Sequence, residues 1–134
     1  MKVFIDANIL IDIITERELF YAPAASFMTR CVEQNYEMIR NIICISNAHY
    51  LSQKIIRDPK ITKSKIAAIN AICRVEVMNQ NQLNTAFKSK ISDFEDALHD
   101  ACAVDNNCTH IISRNRKGFK KSQLKLLTPL QFLK

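Results

Sequence analysis

The sequence predicts an α/β fold in which helices cover both faces of a parallel sheet. Short apolar segments, beginning with residues 3–5, alternate with longer segments whose apolar residues recur at helical spacing. Uninterrupted apolar strands are typical of parallel sheets, because both faces of such sheets are buried. Polar residues follow some of these strands directly, at the sheet edge where open α/β folds place their ligands. The pattern therefore indicates both a fold class and a site.

The composition is that of an ordinary globular chain. Its 134 residues are 48% hydrophobic and 24% charged, which suits one domain with a substantial core. No apolar run reaches the length of a membrane-spanning helix, and the N-terminus lacks the pattern of a secretory signal. We expect a single domain over residues 1–134, located in the cytoplasm and without membrane contact.

The five cysteines contain no CxxC pair, so they do not indicate a structural zinc site. Cys44, Cys73 and Cys102 lie among apolar residues and are expected to be reduced core residues. The formal charge of +6 suits a polyanionic partner. Gly118 is the only glycine, so the sequence contains neither a P-loop nor a GxGxxG turn. Asparagines such as Asn106 and Asn107 are expected in loops instead.

The first half of the chain contains two predicted strands and four predicted helices. Strand 3–5 leads into a helix over about 8–17, and Pro23 is expected to start the next helix. Residues 37–40 form a second strand, and the following helix should end before Asp58 and Pro59. Thr62 is expected to cap a fourth helix.

The second half continues the alternation with a strand at 74–77 and a short helix at about 83–88. Ser92 and Glu95 have the spacing of a capping box, which would open a helix ending at Asn106 and Asn107. Strands are predicted at 110–113 and 126–127. Thr128 and Pro129 then open a terminal helical turn.

Asp6 is the first candidate functional residue, because it follows the apolar strand 3–5 directly. One interpretation is that Asp6, or Ala7 with Asn8, caps the following helix. The other is that Asp6 holds a hard cation at the mouth of the sheet. Partners elsewhere in the sequence decide between them.

The second candidate cluster is acidic. Asp93, Asp96 and Asp100 occupy positions i, i+3 and i+7, which share one face of a helix. The opposite face, with Phe94 and Ala97, is expected to be buried. The cluster is interpreted either as a solvated first turn or as carboxylates that face Asp6 across a cleft. Mg²⁺ and Mn²⁺ prefer such oxygen ligands.

The third candidate segment follows the strand at 110–113. Ser113 and Asn115 can hydrogen-bond to a metal-bound water or a phosphate. The next residues form a basic run that comprises Arg114, Arg116, Lys117, Lys120 and Lys121. This run is interpreted either as a solvated loop or as a rim that contacts phosphates. Structural roles are favoured for the histidines; only His99, three residues after Asp96, is placed to act as a general base.

These segments together resemble the PIN domain family, the nuclease fold of VapC-type toxins. The resemblance rests on four segments, in order: residues 3–10 with Asp6, residues 93–98 with Asp93 and Asp96, residues 112–119, and residues 127–133. It implies a three-layer α/β/α fold with a parallel sheet in the order 3-2-1-4-5. It also implies Mg²⁺- or Mn²⁺-dependent cleavage of RNA, a homodimer, and a small antitoxin partner.

The resemblance assigns roles to individual residues. Asp6, Asp96 and Asp93 would bind the metal and perform catalysis. Four polar residues would position water or substrate: Asn8, Asn47, Ser113 and Asn115. Three basic residues would hold the RNA backbone: Arg114, Arg116 and Lys117.

Three positions depart from the family pattern. Asn47 stands where a glutamate is usual, Asn115 stands at a possible aspartate position, and Gly118 replaces the aspartate of a D-F pair. Because affinity for divalent ions follows the number of carboxylates, these changes weaken the expected site. The alternative function is therefore a non-cleaving PIN-like module that binds RNA or a protein.

Overall fold

The computed structural model describes residues 1–134 and contains one parallel sheet of five strands. The strand order is β3-β2-β1-β4-β5, which confirms the predicted fold and order. The strands are β1 (Lys2–Ile5), β2 (Glu37–Arg40), β3 (Arg74–Val75), β4 (His110–Ile112) and β5 (Lys125–Leu127). The central strand β1 pairs with β2 and with β4, so its carboxyl end lies between two neighbouring strand ends.

Seven helices connect or follow the strands. They are α1 (Ala7–Ile14), α2 (Tyr21–Glu33), α3 (Ile42–Ile56), α4 (Pro59–Asn70), α5 (Gln80–Phe87), α6 (Phe94–Asp105) and α7 (Pro129–Leu133). None of them combines the length and apolarity that a bilayer crossing requires.

The core is built on the two central strands. Val3, Phe4 and Ile5 of β1 and Ile111 and Ile112 of β4 are completely buried, as the uninterrupted apolar runs predict for a sheet covered on both faces. Each such side chain contributes about 1.5–3 kcal/mol on burial. This rigid pair of strands holds the residues that follow Ile5 and Ile112 next to each other.

The cysteines also lie in the interior. All five are buried thiols, which confirms the prediction for Cys44, Cys73 and Cys102 and extends it to Cys31 and Cys108. Burial raises the pKa of the Cys31 thiol to about 12, and it also raises that of Cys44. These thiols are therefore protonated and unreactive at neutral pH.

Some predicted boundaries were wrong. Helix α1 ends at Ile14, before the predicted residue 17, because Glu16 adopts a left-handed φ of 50°. Helix α4 is capped by Asp58 rather than Thr62, with Pro59 in the first turn, a position where proline needs no backbone donor. Strand β3 has two residues instead of four. Asn107, with φ 61°, takes the left-handed conformation expected of a loop asparagine.

Candidate metal-binding site

Asp6 lies at the centre of the candidate site, at the junction of β1 and α1. Its Oδ1 accepts the backbone N–H of Ala7 at 2.8 Å, so Asp6 does cap helix α1. Its Oδ2 accepts hydrogen bonds from Ser113 Oγ at 2.7 Å and Asn8 Nδ2 at 3.1 Å. The residue is only 6% exposed. The capping role is therefore compatible with a binding role, because the cap hydrogen bond and the other two fix the carboxylate's orientation.

Ser113 connects this carboxylate to the next segment. Its hydroxyl donates to Asp6 and accepts from Asn8 Nδ2 at 3.1 Å and from the backbone N–H of Asn115 at 2.9 Å. The Asn115 side chain then donates from Nδ2 to Asp96 Oδ2 at 3.1 Å. The structure thus brings together Asp6, Asn8, Ser113, Asn115 and Asp96, which the sequence placed in three separate segments.

Asp96 is held in an environment that disfavours its charge. Burial raises the pKa of its carboxyl to about 6, with further contributions from the negative charges of Asp6, Asp93 and Glu95. The hydrogen bond from Asn115 acts in the opposite direction. A group in this position gains most from a bound cation, because the cation offsets the like charges that surround it.

Helix α6 begins one residue later than the sequence predicts. Asp93 is the N-cap, and its Oδ1 accepts the backbone N–H of Asp96 at 3.0 Å; the predicted Ser92–Glu95 capping box was wrong. An aspartate caps as well as a serine does, so the residue types alone do not distinguish Ser92 from Asp93. The consequence is that the Glu95 side chain is not used in capping.

The expected common face of Asp93, Asp96 and Asp100 was only partly correct, since only Asp96 and Asp100 lie within α6, one turn apart. Asp93 lies outside the helix as its cap, and Asp100 accepts a hydrogen bond from Ser122 Oγ. The expected buried face is only partly correct, since Ala97 is buried but Phe94 is 44% exposed.

Glu95 takes a place in the site that the sequence did not predict. Its Oε1 accepts a hydrogen bond from Asn47 Nδ2 at 2.6 Å and lies 3.7 Å from His99 Nε2. Asn47 therefore reaches the acidic cluster through Glu95. The spacing of Glu95 and His99, one helical turn apart, was the available sequence signal.

His99 is a buried member of the site, and its protonation state follows from its neighbours. Asn41 Oδ1 accepts the backbone N–H of Cys44 at 3.0 Å, so the amide nitrogen of Asn41 faces His99 Nδ1 at 3.0 Å. The amide nitrogen can only donate, which makes Nδ1 the acceptor and leaves the proton of neutral His99 on Nε2. Burial lowers the pKa of His99, although Asp6 and Glu95 oppose this.

The Nε2–H of His99 is directed toward the carboxylates, 4.0 Å from Asp6 Oδ1 and 3.7 Å from Glu95 Oε1. His99 is only 1% exposed, and its ring packs against Phe4. Asn41 could have been recognised from the sequence, because it follows β2 and caps α3 just as Asp6 follows β1 and caps α1.

Two sets of donor atoms lie in this region. Ligand atoms of Asp6, Cys44 and His99 lie within 4.8 Å of one another. The sulfur, however, is 3.7 and 3.9 Å from the two ring nitrogens, so it does not lie along the lone pair of either. A metal-bound histidine also donates its other N–H to an acceptor, whereas Nδ1 here faces an amide donor. The cluster does not fit a zinc site.

The other donor set consists of carboxylates. Asp6, Asp93 and Glu95 lie close enough to Asp96 for their negative charges to raise the pKa of its carboxyl, and carboxylate oxygens are the ligands that Mg²⁺ and Mn²⁺ prefer. No lysine or arginine forms an ion pair with any of these four carboxylates; their only nearby basic group is His99. This excess of negative charge is the main electrostatic feature of the site.

Gly118 lies directly against this set. A Cβ at this position would come within 2.3 Å of Asp96 Oδ2 and of Asn115 Nδ2. The backbone N–H of Gly118 donates to Asn115 Oδ1 at 3.1 Å. Any side chain at residue 118 therefore requires the Asn115–Asp96 hydrogen bond to shift.

The basic residues beyond β4 differ in their surroundings. Arg116 and Lys117 are exposed and, with Lys120 and Phe119, line a cavity of about 460 Å³. Arg114 instead donates from Nε and Nη2 to the buried Asp12, at 2.8 and 3.0 Å, and covers the ring of Phe20. Its backbone N–H donates to Asn8 Oδ1 at 3.3 Å. Only Nη1 of its guanidinium has no partner.

Removing the charge of Asp96 is expected to stabilise the metal-free protein at neutral pH. The carboxyl binds its proton more tightly in the folded chain, with a pKa of about 6 against an ordinary value of 3.8. The tighter proton binding stabilises the folded state at low pH, and this stabilisation is lost as pH rises through about 6. Asn at residue 96 keeps the acceptor for Asn115 but does not titrate.

The measurement is thermal unfolding of wild type and Asp96→Asn in EDTA. The variant should have the higher Tm at neutral pH, with the difference shrinking at about pH 4. Mn²⁺ should raise the Tm of wild type more than that of the variant. A Tm difference independent of pH would contradict the assignment of an unfavourable charge at Asp96.

Comparison with known proteins shows the family of this chain. A family model described as PIN domain matches residues 2–117. Ribonuclease VapC1 of Aquifex aeolicus (strain VF5) is 24% identical over 136 residues, covering 98% of this chain and 92% of that protein. The chain belongs to the PIN domain family, as its sequence motifs predicted.

Two solved structures share the fold over nearly their whole length. VapBC2 from Rickettsia felis, bound to a DNA fragment from their promoter, has a TM-score of 0.72. VapBC-1 from nontypeable Haemophilus influenzae has a TM-score of 0.68. Each match has 16% sequence identity and covers 96% of this chain and 98% of the other.

Proposed function

We propose that this protein is a Mg²⁺- or Mn²⁺-dependent endoribonuclease of the toxin–antitoxin type. The observation that carries the proposal is the cluster of Asp6, Asp93, Glu95 and Asp96, which no lysine or arginine neutralises in a chain of net charge +6. Membership of the PIN family and similarity to a ribonuclease over 98% of the chain support it.

In this proposal Asp6, Asp96 and Asp93 hold the cation. A bound Mg²⁺ or Mn²⁺ would polarise the scissile phosphate and activate the attacking water. Ser113 and Asn8 fix the orientation of Asp6, and Asn115 fixes that of Asp96. Glu95 completes the negative cluster, and Asn47 and His99 hold its carboxylate from two sides.

Residues beyond β4 would hold the RNA backbone. Arg116 and Lys117 are exposed next to Asn115 and are free to contact phosphates. Arg114 would offer only Nη1, because its other guanidinium nitrogens are bound to Asp12. Contacts of this kind bind RNA independently of sequence and weaken as salt increases.

We further propose a small antitoxin as partner, since the structural neighbours are VapBC complexes. A mostly apolar groove of about 490 Å³ between α1, α2 and α4 is large enough to receive a segment of such a protein. The exposed apolar residues Ile42, Tyr50 and Ile55 of α3 offer a surface for a homodimer. Residues 1–134 would act as one domain, and the five buried thiols suit the cytoplasm.

The test is Mn²⁺-dependent cleavage of a varied set of RNAs by wild type and by Asp6→Asn/Asp96→Asn. Wild type should cleave at least one RNA, EDTA should stop it, and the double variant should be inactive at equal protein concentration. If wild type cleaves no more than the double variant across all RNAs, the protein is not a metal-dependent ribonuclease.

The second candidate is a non-cleaving module that binds RNA or a protein through the same fold. Gly118 favours it, because the position where the family resemblance places an aspartate has no side chain at all and lies against Asp96. Calorimetric titration with Mn²⁺ separates the two. The enzyme should bind Mn²⁺ saturably in the micromolar-to-millimolar range, and the module should not.

A further inference from the structure

Two phenylalanines form an exposed stacked pair where helix α5 ends and helix α6 begins. Phe87 is the last residue of α5 and Phe94 the first of α6. Their ring centroids are 5.1 Å apart with an interplanar angle of 24°. Phe87 is 68% exposed and Phe94 is 44% exposed. The inner faces of the two rings contact each other, and their exposed outer faces remain available to a ligand.

The pair lies next to the acidic site along the backbone. Phe94 follows Asp93, the cap of α6, and their Cα atoms are about 3.8 Å apart across one peptide bond. Asp93 in turn accepts the backbone N–H of Asp96. The rings are therefore attached to the same helical turn as the proposed metal ligands.

Two lysines accompany the rings. Lys88 and Lys90 lie in the 88–93 connection, both are exposed, and neither forms an ion pair. Aromatic rings interleaved with free basic side chains are the combination that binds single-stranded nucleic acid, because the rings stack on bases while the ammonium groups contact phosphates.

We infer that Phe87 and Phe94 form a stacking subsite for an unpaired nucleobase of RNA, with Lys88 and Lys90 on the adjoining phosphates. This rests on the proposed function, since the scissile phosphate would lie at the neighbouring carboxylates. Bases within a duplex are already stacked on both faces, so the subsite selects unpaired nucleotides over paired ones.

The charge pattern favours RNA over a protein as occupant. A protein docked on the rings would cover two ammonium groups that have no acidic partner on this chain, which costs free energy unless it brings its own acids. A phosphate backbone supplies negative charge beside every base. The subsite therefore matches a nucleotide in both its apolar and its charged part.

The test uses short RNAs that carry 2-aminopurine at successive unpaired positions, in an Asp96→Asn background to prevent cleavage. Stacking on the rings should quench the fluorescence at one position. Phe87→Leu/Phe94→Leu should abolish this quenching and weaken single-strand binding about tenfold. Binding to a fully paired hairpin stem should change by less than about twofold. Lys88→Gln/Lys90→Gln should reduce the salt dependence of single-strand binding.

Leu130→Ala is the control, an exposed apolar side chain on α7 that is 54% accessible and should leave RNA binding unchanged. Unaltered single-strand affinity in the Phe87→Leu/Phe94→Leu protein overturns the subsite. So does a change in its oligomeric state by sedimentation, which would assign the rings to an interface between copies. Quenching without any cleavage by wild type would overturn the proposed function alone, and cleavage with undiminished affinity would overturn the subsite alone.

Discussion

Asp6→Asn is expected to reduce Mn²⁺-dependent RNA cleavage by about a hundredfold or more. Substitutions of residues that merely support metal ligands typically cost about 10–100-fold in metal affinity or activity, and Asp6 is proposed as a ligand itself. Asparagine keeps the size of the side chain and the hydrogen bond that Oδ1 accepts from Ala7. Its amide nitrogen replaces Oδ2 and can donate to Ser113 Oγ, so the main change is the loss of the negative charge. The loss should therefore arise from cation binding and not from misfolding.

Two measurements separate these causes. Calorimetry should show that Asp6→Asn binds Mn²⁺ at least about tenfold more weakly, while its circular dichroism spectrum matches that of wild type. Asp100→Asn is the matched control, because this half-buried carboxylate of helix α6 accepts a hydrogen bond from Ser122 and does not contact the site. Cleavage by Asp6→Asn at the rate of Asp100→Asn would remove Asp6 from the metal site.

Arg114→Met is expected to destabilise the fold by about 3–5 kcal/mol, the cost of leaving one member of a buried ion pair without its partner. Asp12 is only 1% exposed and accepts two hydrogen bonds from Arg114. After the substitution the only remaining cation near Asp12 would be Arg17, at 3.9 Å. The buried carboxylate would then be poorly compensated.

Urea unfolding of three proteins tests this expectation. Arg116→Met is the control, because Arg116 is exposed and forms no ion pair, and its stability should stay within about 0.5 kcal/mol of wild type. Asp12→Leu/Arg114→Met removes both charges and should recover most of the loss. If Arg114→Met is as stable as Arg116→Met, the Asp12 pair does not support the fold, and a direct role of Arg114 in RNA binding becomes the better explanation.

Much of the fold was predictable because its signals are local. The apolar residues 3–5 and 111–112 and the helical spacing between them predicted a parallel α/β sheet, which the structure confirms. Asp6 and Ser113 were candidates for the same reason. Each follows an apolar strand, and adjacent parallel strands end at one edge of the sheet.

Other features depend on packing between distant segments, which local patterns do not encode. Asp93 rather than Ser92 caps α6, and this choice frees Glu95 to meet Asn47 from α3 and His99 from its own helix. The contact of Arg114 with Asp12 joins residues 102 positions apart. Phe87 and Phe94 stack only because α5 and α6 pack against each other.

The sequence alone determined the fold class, the family resemblance and the strand-end residues Asp6 and Ser113, since these follow from periodicity and from residues adjacent in the chain. Tertiary structure decided which polar groups surround the carboxylates. The proton of His99 lies on Nε2 because Asn41, 58 positions away, donates to Nδ1. The pKa of Asp96 rises to about 6 because burial and the charge of Asp6 act on it together. Electrostatic effects of this kind depend on distance in space, which only the folded chain defines.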